Sequence, residues 1–163
     1  MSTLQPRRSR QQRQFDSAEQ EGFLSLWRTY DRLRALEDEL FAGYDLTPQQ
    51  YNALRLLNSQ RPEKLQTLDL ARRLVSRAPD ITRLLDKLER RGLIERERPA
   101  DNRRIVRIGI TESGVALLRE LREPIRACHQ RQLGHLTGKQ LRELTALLRL
   151  ARQPHEEADG SWS

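Results

Sequence analysis

The chain has 163 residues, 33% of them charged and only 36% hydrophobic, with 30 Lys and Arg against 23 Asp and Glu and a net charge of +7. That length fits one small domain with terminal elaborations, and the basic balance favours an acidic polymer as partner. The single cysteine excludes an intrachain disulfide, the basic start has no apolar leader, and no apolar run reaches the roughly 18–20 residues of a membrane span, so a soluble, cytoplasmic protein is expected.

Residues 1–15 hold Arg7, Arg8, Arg10 and Arg13 among Gln and Ser with almost nothing to bury, the pattern of a basic flexible tail. Over residues 18–43, Phe23, Leu26, Trp27, Tyr30, Leu33, Leu40 and Phe41 recur at three- and four-residue spacings, which predicts a long helix ended by Gly43 and Asp45. Thr47-Pro48-Gln49-Gln50 predicts the next helix start: a hydroxyl cap, a proline at the first helical position, and a glutamine to complete a capping box. Tyr51, Ala53, Leu54 and Leu57 form the buried side of that helix, and residues 58–66 a loop.

Two short helices follow, at 68–74 and 78–91. The first is expected to bury Leu68, Ala71 and Leu74 or Val75. In the second, Ile81, Leu84, Leu85 and Leu88 fall at i, i+3, i+4 and i+7 as one buried stripe, with Asp80, Arg83, Lys87 and Arg90 opposite. Pro79 is tolerated in the first turn, where no N–H is needed, and Gly92 closes the helix. The period then changes. Residues 93–98 and 104–110 read as two strands joined by Pro99-Ala100-Asp101-Asn102-Arg103, a hairpin with a charged tip. Thr111 caps a helix carrying Leu117, Leu118, Leu121, Ile125 and Cys128 on one stripe and bent by Pro124; Thr137 caps a last helix with Leu141, Leu144, Leu147, Leu148 and Ala151 inward. Residues 154–163 read as a frayed tail.

The order helix, short helix, tight turn, amphipathic helix, charged hairpin has a mechanical meaning. The major groove of B-DNA, about 12 Å wide, admits one α-helix. The second short helix anchors its apolar stripe and presents Thr82, Arg83 and Lys87 outward. Alone this would be an ordinary solvated helix. The hairpin that follows gathers Arg98, Arg103 and Arg104 at its tip, and an arginine on a thin hairpin can enter the narrow, electronegative minor groove. Asp101 is placed to hold the Arg103 guanidinium in pose by a charge-assisted hydrogen bond. Two leucine-rich end helices flanking such a core have little within one subunit to cover them, which predicts a homodimer with two reading helices about 34 Å apart, one DNA turn, and hence a pseudo-palindromic site.

The stretch Thr82-Arg83-Leu84-Leu85-Asp86-Lys87-Leu88-Glu89-Arg90-Arg91-Gly92-Leu93-Ile94-Glu95-Arg96 resembles the recognition helix and first wing strand of MarR-type regulators. Asp101-Asn102-Arg103-Arg104 with Ile110-Thr111-Glu112-Ser113-Gly114 resembles that family's wing signature, and Leu46-Thr47-Pro48-Gln49-Gln50-Tyr51 the start of its second helix. The resemblance covers residues 20–152. It implies a mainly α fold with a small β-hairpin wing, a winged helix-turn-helix, and a homodimer through N- and C-terminal helices that binds palindromic operators in double-stranded DNA, and the reading is a ligand-responsive repressor or activator. The corresponding division is a tail at 1–15, a dimerisation helix at 16–45, the DNA-binding domain at 46–111, C-terminal dimerisation helices at 112–153 and a tail at 154–163. Carried over by position, Arg103 is the minor-groove arginine with Asp101 its partner. Residues 76–83 enter the major groove, bringing Ser76, Arg77, Ala78 and Pro79 to DNA together with Thr82 and Arg83. Departures are Ile110 in place of leucine, Gly109 within the second wing strand, and Arg77, a poor cap, where a helix start is expected.

The resemblance also implies a small aromatic effector, for which Trp27, Tyr30 and Tyr44 are the candidate contacts, although aromatics at helical spacing are more often core. Cys128 falls on a buried stripe and reads first as a packed thiol, with a redox switch or, with His129 and His135, a metal sensor as alternatives. No Gly-rich phosphate loop, G-x-S-x-G or metal-ligand spacing is present, so no catalysis, cofactor or metal is expected. The rival readings are a nonspecific nucleoid protein, an RNA-binding module and a helical partner-binding protein.

Overall fold

The computed structural model describes residues 15–75, 80–100 and 102–156. Two compact units divide the chain between Ala35 and Leu36. The first is the beginning of helix α1 (Ala18–Ala42), started by the Ser17 hydroxyl, which accepts from the Gln20 amide at 3.1 Å. Along it Phe23, Leu24, Leu26, Trp27 and Tyr30 are all exposed, Trp27 at 61%. The Phe23 and Trp27 rings meet at 6.0 Å.

The second unit begins with the last turns of α1. Helix α2 (Pro48–Ser59) starts as its sequence dictates: the Thr47 hydroxyl accepts from the Gln50 amide at 3.1 Å, and the Gln50 side chain accepts from the Thr47 amide at 2.9 Å. Then follow β1 (Leu65–Gln66), α3 (Thr67–Arg73), α4 (Ile81–Arg90), β2 (Ile94–Glu97), β3 (Arg107–Ile110), α5 (Glu112–Leu133), α6 (Gly138–Arg152) and a short 3-10 turn. The three strands form an antiparallel sheet in the order β1-β3-β2, with Leu65 opposite Ile108 and Ile94 opposite Ile110. Leu54, Leu57, Leu70, Leu85, Leu88, Ile108 and Leu121 are its fully buried large side chains, each contributing roughly 1.5–3 kcal/mol by leaving water. The result is a mainly helical winged-helix fold.

Several expectations change. The hairpin is not alone: β1, read as loop, adds a third strand. In α3 the buried leucine is Leu70, while Leu68 is 70% exposed. Of the expected pair at its end, Leu74 is buried and Val75 exposed. Both wing strands are shorter than expected, because pairing stops where the tip turn begins. In α6 no residue is buried: Leu147 is 64% exposed, and Leu141, Leu144 and Leu148 are only half-covered.

The junction of β3 and α5 is closely packed. The Thr111 hydroxyl accepts from the Gly114 amide at 3.1 Å and donates to the Gly92 carbonyl at 2.6 Å, tying the helix start to the end of α4. At Gly114 an added Cβ would lie 2.3 Å from the Leu93 carbonyl oxygen and 2.6 Å from Ile110 Cγ1. The T-x-x-G pattern thus has a mechanical cause: hydroxyl cap and absent side chain let strand and helix touch.

Candidate nucleic-acid interface

Helix α4 is started by Asp80, whose carboxylate accepts from the Arg83 amide at 2.9 Å. The expected start at residue 78 is therefore corrected: a cap at 80 satisfies the first amides and leaves Ile81 as the first helical residue. Asp80→Ala is expected to cost about 1 kcal/mol of stability, seen as a lowered urea midpoint at unchanged slope; an unmoved midpoint would remove the capping role. The buried Leu85 and Leu88 hold the helix down, and Thr82, Arg83 and Lys87 are exposed. Ser76, Arg77, Ala78, Pro79 and Asp101 lie outside the described residues.

The wing tip is a hydrogen-bonded turn. The Asn102 amide donates to the Pro99 carbonyl at 3.2 Å, Ile105 to the Asn102 carbonyl at 3.2 Å, and Arg104 to the Asn102 side-chain oxygen at 3.2 Å. Arg98 closes it by donating to the Arg103 carbonyl at 3.0 Å. Arg98 is thus partly a structural residue, whereas Arg103 and Arg104 follow it onto the exposed tip.

Two sets of ion pairs join the wing to its surroundings. Arg96 on β2 reaches α4, with Asp86 at 2.6 Å and Glu89 at 3.1 Å. Lys64, just before β1, meets Glu95 and Glu97 of β2 at 2.8 Å each, although β3 lies between those strands. Gly109 makes this crossing feasible: a Cβ there would stand 3.2–3.4 Å from the Lys64 stem. The two carboxylates hold the Lys64 ammonium pKa above its usual value, and Lys64 lowers that of Glu97. Elsewhere, Arg91 at the end of α4 donates to the Tyr44 carbonyl at 3.1 Å and to that of Asp45, whose φ is +51°.

Of the effector candidates, Trp27 and Tyr30 are exposed on α1, and Tyr44 is half-buried against the core. Cys128 is buried, and burial pushes its thiol pKa up. Among the described residues no cluster of three His, Cys, Asp or Glu could hold a metal. Sequence reading missed a groove of about 1010 Å³ between α2, α5 and α6. Arg55, Arg119, Arg122 and Arg126 line it above an apolar floor that includes Leu118 and Ile125. The spacing of the three α5 arginines at i, i+3 and i+7 was the available signal, but the α2 wall comes from a distant segment.

Residues 46–106 match the family model described as MarR family. A solved structure of a MarR transcription factor from Planctomyces limnophilus is 54% identical, with 83% of this chain and 98% of that one covered and a TM-score of 0.68. The transcriptional repressor MprA of Escherichia coli is 36% identical over 113 residues, 68% of this chain, and the match spans 64% of the length of that repressor. Bordetella bronchiseptica BpsR, solved in a study of how 6-hydroxynicotinic acid regulates its DNA binding, is similar in fold at a TM-score of 0.73 and 24% identity, covering 84% of this chain and 96% of that one.

Proposed function

The chain belongs to the MarR family of transcriptional regulators, and from that premise we propose that it binds a pseudo-palindromic operator as a homodimer and is released from it by a small anionic effector. The observation that carries this reading is the frame built around α4. A helix with Thr82, Arg83 and Lys87 exposed is tied by ion pairs to a wing that ends in Arg103 and Arg104. In a complex, α4 lies in the major groove while Arg103 enters the adjacent minor groove. Ser76, Arg77, Ala78 and Pro79 are proposed as further contacts ahead of the helix, Arg98 and Arg104 as phosphate contacts, and Asp101 as the holder of Arg103.

Residues 46–111 form the DNA-binding domain in this reading, and the helices at 16–45 and 112–153 form the dimer. The exposed Phe23, Trp27 and Tyr30 of α1 and the uncovered Leu147 and Leu150 of α6 supply the apolar surface such a dimer needs. The effector is assigned to the α2–α5–α6 groove, where guanidinium groups over an apolar floor suit an aromatic carboxylate. BpsR, whose DNA binding responds to such an acid, supports that class of ligand. No helix among the described residues is long and apolar enough to cross a membrane; a place on DNA in the cytoplasm follows from the proposed role alone.

The test is enrichment of bound fragments from a pool of duplexes. It is expected to return inverted repeats with half-sites about 34 Å apart, bound at least about 10³-fold more tightly than unrelated duplex. Binding of all duplexes within tenfold would replace the regulator with a nonspecific nucleoid protein. On the enriched duplex, Arg103→Ala is expected to weaken binding by about ten- to a hundredfold, in line with the roughly 1–3 kcal/mol of a good groove contact, with unchanged folding. Unchanged affinity would count against the wing.

A further inference from the structure

We infer that Arg96 and Lys64 are positioning residues for DNA recognition: they clamp the wing to the rest of the winged helix from opposite faces of β2, so that α4 and Arg103 meet the duplex in one fixed geometry. The inference rests on the DNA-reading surface proposed above and adds to it two residues that do not themselves touch DNA.

Neighbouring residues of a strand point to opposite faces, and β2 uses both. Arg96 turns toward α4, where its guanidinium meets Asp86 at 2.6 Å, Glu89 at 3.1 Å and, more weakly, the Thr82 carbonyl at 3.5 Å. These three acceptors sit at i, i+4 and i+7 of the helix that carries the exposed Thr82, Arg83 and Lys87. One side chain therefore lies along most of the reading helix. Glu95 and Glu97 turn the other way and take the two sides of the Lys64 ammonium at 2.8 Å. The Lys64 stem passes over Gly109, where an added Cβ would press on it at 3.2–3.4 Å. Lys64 is in turn fixed by its neighbour Leu65, which is buried and paired with Ile108.

Each cation faces two carboxylates, so its charge is already matched within the protein and its donors are turned toward those carboxylates. Partly exposed ion pairs of this kind contribute modestly to stability, and a hairpin of four-residue strands is marginal on its own. What the clamps supply is orientation. A wing free to swing would have to be ordered at the moment of binding, a cost that falls on the specific complex, where both heads must fit, and hardly on loose electrostatic association.

The test uses the full chain, the duplex enriched by the wild-type protein, and a scrambled duplex of equal length, over a range of salt. Arg96→Met and Lys64→Met are each expected to raise Kd on the enriched duplex about tenfold and on the scrambled one less than twofold, with the log–log salt slope unchanged. The loss caused by Arg103→Ala is expected to shrink in the Arg96→Met background, because a misdirected wing has little left to lose. Asp86→Asn with Glu89→Gln, which removes the Arg96 clamp through two partly exposed carboxylates, must reproduce the Arg96→Met pattern and serves if that variant fails to fold. A slope that falls by about 0.9 per site would make the residue a phosphate contact and overturn the inference. So would unchanged affinity, equal loss on both duplexes, or a full Arg103→Ala penalty in the Arg96→Met background. A wild-type protein that enriches no duplex overturns the reading surface itself, and the inference with it.

Discussion

Gly114→Ala is expected to lower the melting temperature by about 10 °C and to remove DNA binding at temperatures where the wild-type chain is folded. Helix propensity alone predicts the opposite sign, since alanine is favoured over glycine inside a helix by roughly 0.8–1.0 kcal/mol. Packing outweighs it here. The new methyl would stand 2.3 Å from a backbone oxygen, that of Leu93, and 2.6 Å from Ile110 Cγ1. Overfilling a packed site costs about 1–3 kcal/mol and more when the obstacle cannot rotate away, and a carbonyl in the connection from α4 to β2 cannot. Against two unyielding contacts the cost is taken above that range, at about 4–5 kcal/mol. Less the roughly 1 kcal/mol of propensity, the net of about 3–4 kcal/mol, at about 2–4 °C per kcal/mol for a chain of this size, gives the stated shift. Relief requires α5 to lift from the sheet, which also breaks the Thr111 bonds to Gly92 and Gly114. A melting curve for the alanine variant at or above that of the wild type would mean this junction is far more compliant than its distances imply.

The second large effect concerns the uncovered helices. Leu147→Glu with Leu150→Glu is expected to turn a dimer into a folded monomer in sedimentation and to weaken operator binding by about 10³-fold or more. No residue of α6 is buried within the chain, and these two are 64% and 66% exposed. Covering such side chains stabilises association by roughly 1.5–3 kcal/mol each, and both subunits contribute. Two charges per subunit in that patch cost more than the interface gains. A monomer keeps one reading head, and one head leaves mainly the nonspecific term, which lies some 10³–10⁷-fold weaker than specific binding. If the variant sediments as the wild type does, α6 is not in the interface, and the dimer must be sought on another face.

What could be read from residues alone was what local chemistry decides. Thr47, Pro48 and Gln50 announce a helix start in any context, and the capping box is there. Thr111 and Thr137 do the same for α5 and α6. The stripe from Ile81 to Leu88 placed α4 and left Thr82, Arg83 and Lys87 on its outer side. The errors lie where distant segments decide. A strand of two residues, Leu65–Gln66, has no period to detect and exists because β3 offers an edge. Gly109 stood out as a departure from the family pattern, and its reason is a lysine 45 positions earlier that no local rule connects to it. A start of α4 at residue 78 tolerates Pro79 in the first turn, but the cap that forms is Asp80. The arginine groove joins α2 to α5 and α6 and has no single sequence signature. The leucines of α6 have the spacing of an inward stripe, yet no residue of α6 is buried within the chain, and spacing alone does not say what a stripe packs against.

The grip of Arg91 on Tyr44 and Asp45 has its own consequence for how this protein tolerates change. The guanidinium takes hold of main-chain oxygens, so the anchoring of the α1–α2 bend is indifferent to which side chains the bend carries. Position 45 is restricted only by its left-handed backbone, which asparagine or glycine accept. Position 91 has no such latitude, because a lysine ammonium lacks the planar fork that spans two neighbouring carbonyls. Tyr44 and Leu46 are still held by the core they pack against, so the latitude lies at position 45, and Arg91→Lys is expected to loosen the bend more than Asp45→Asn.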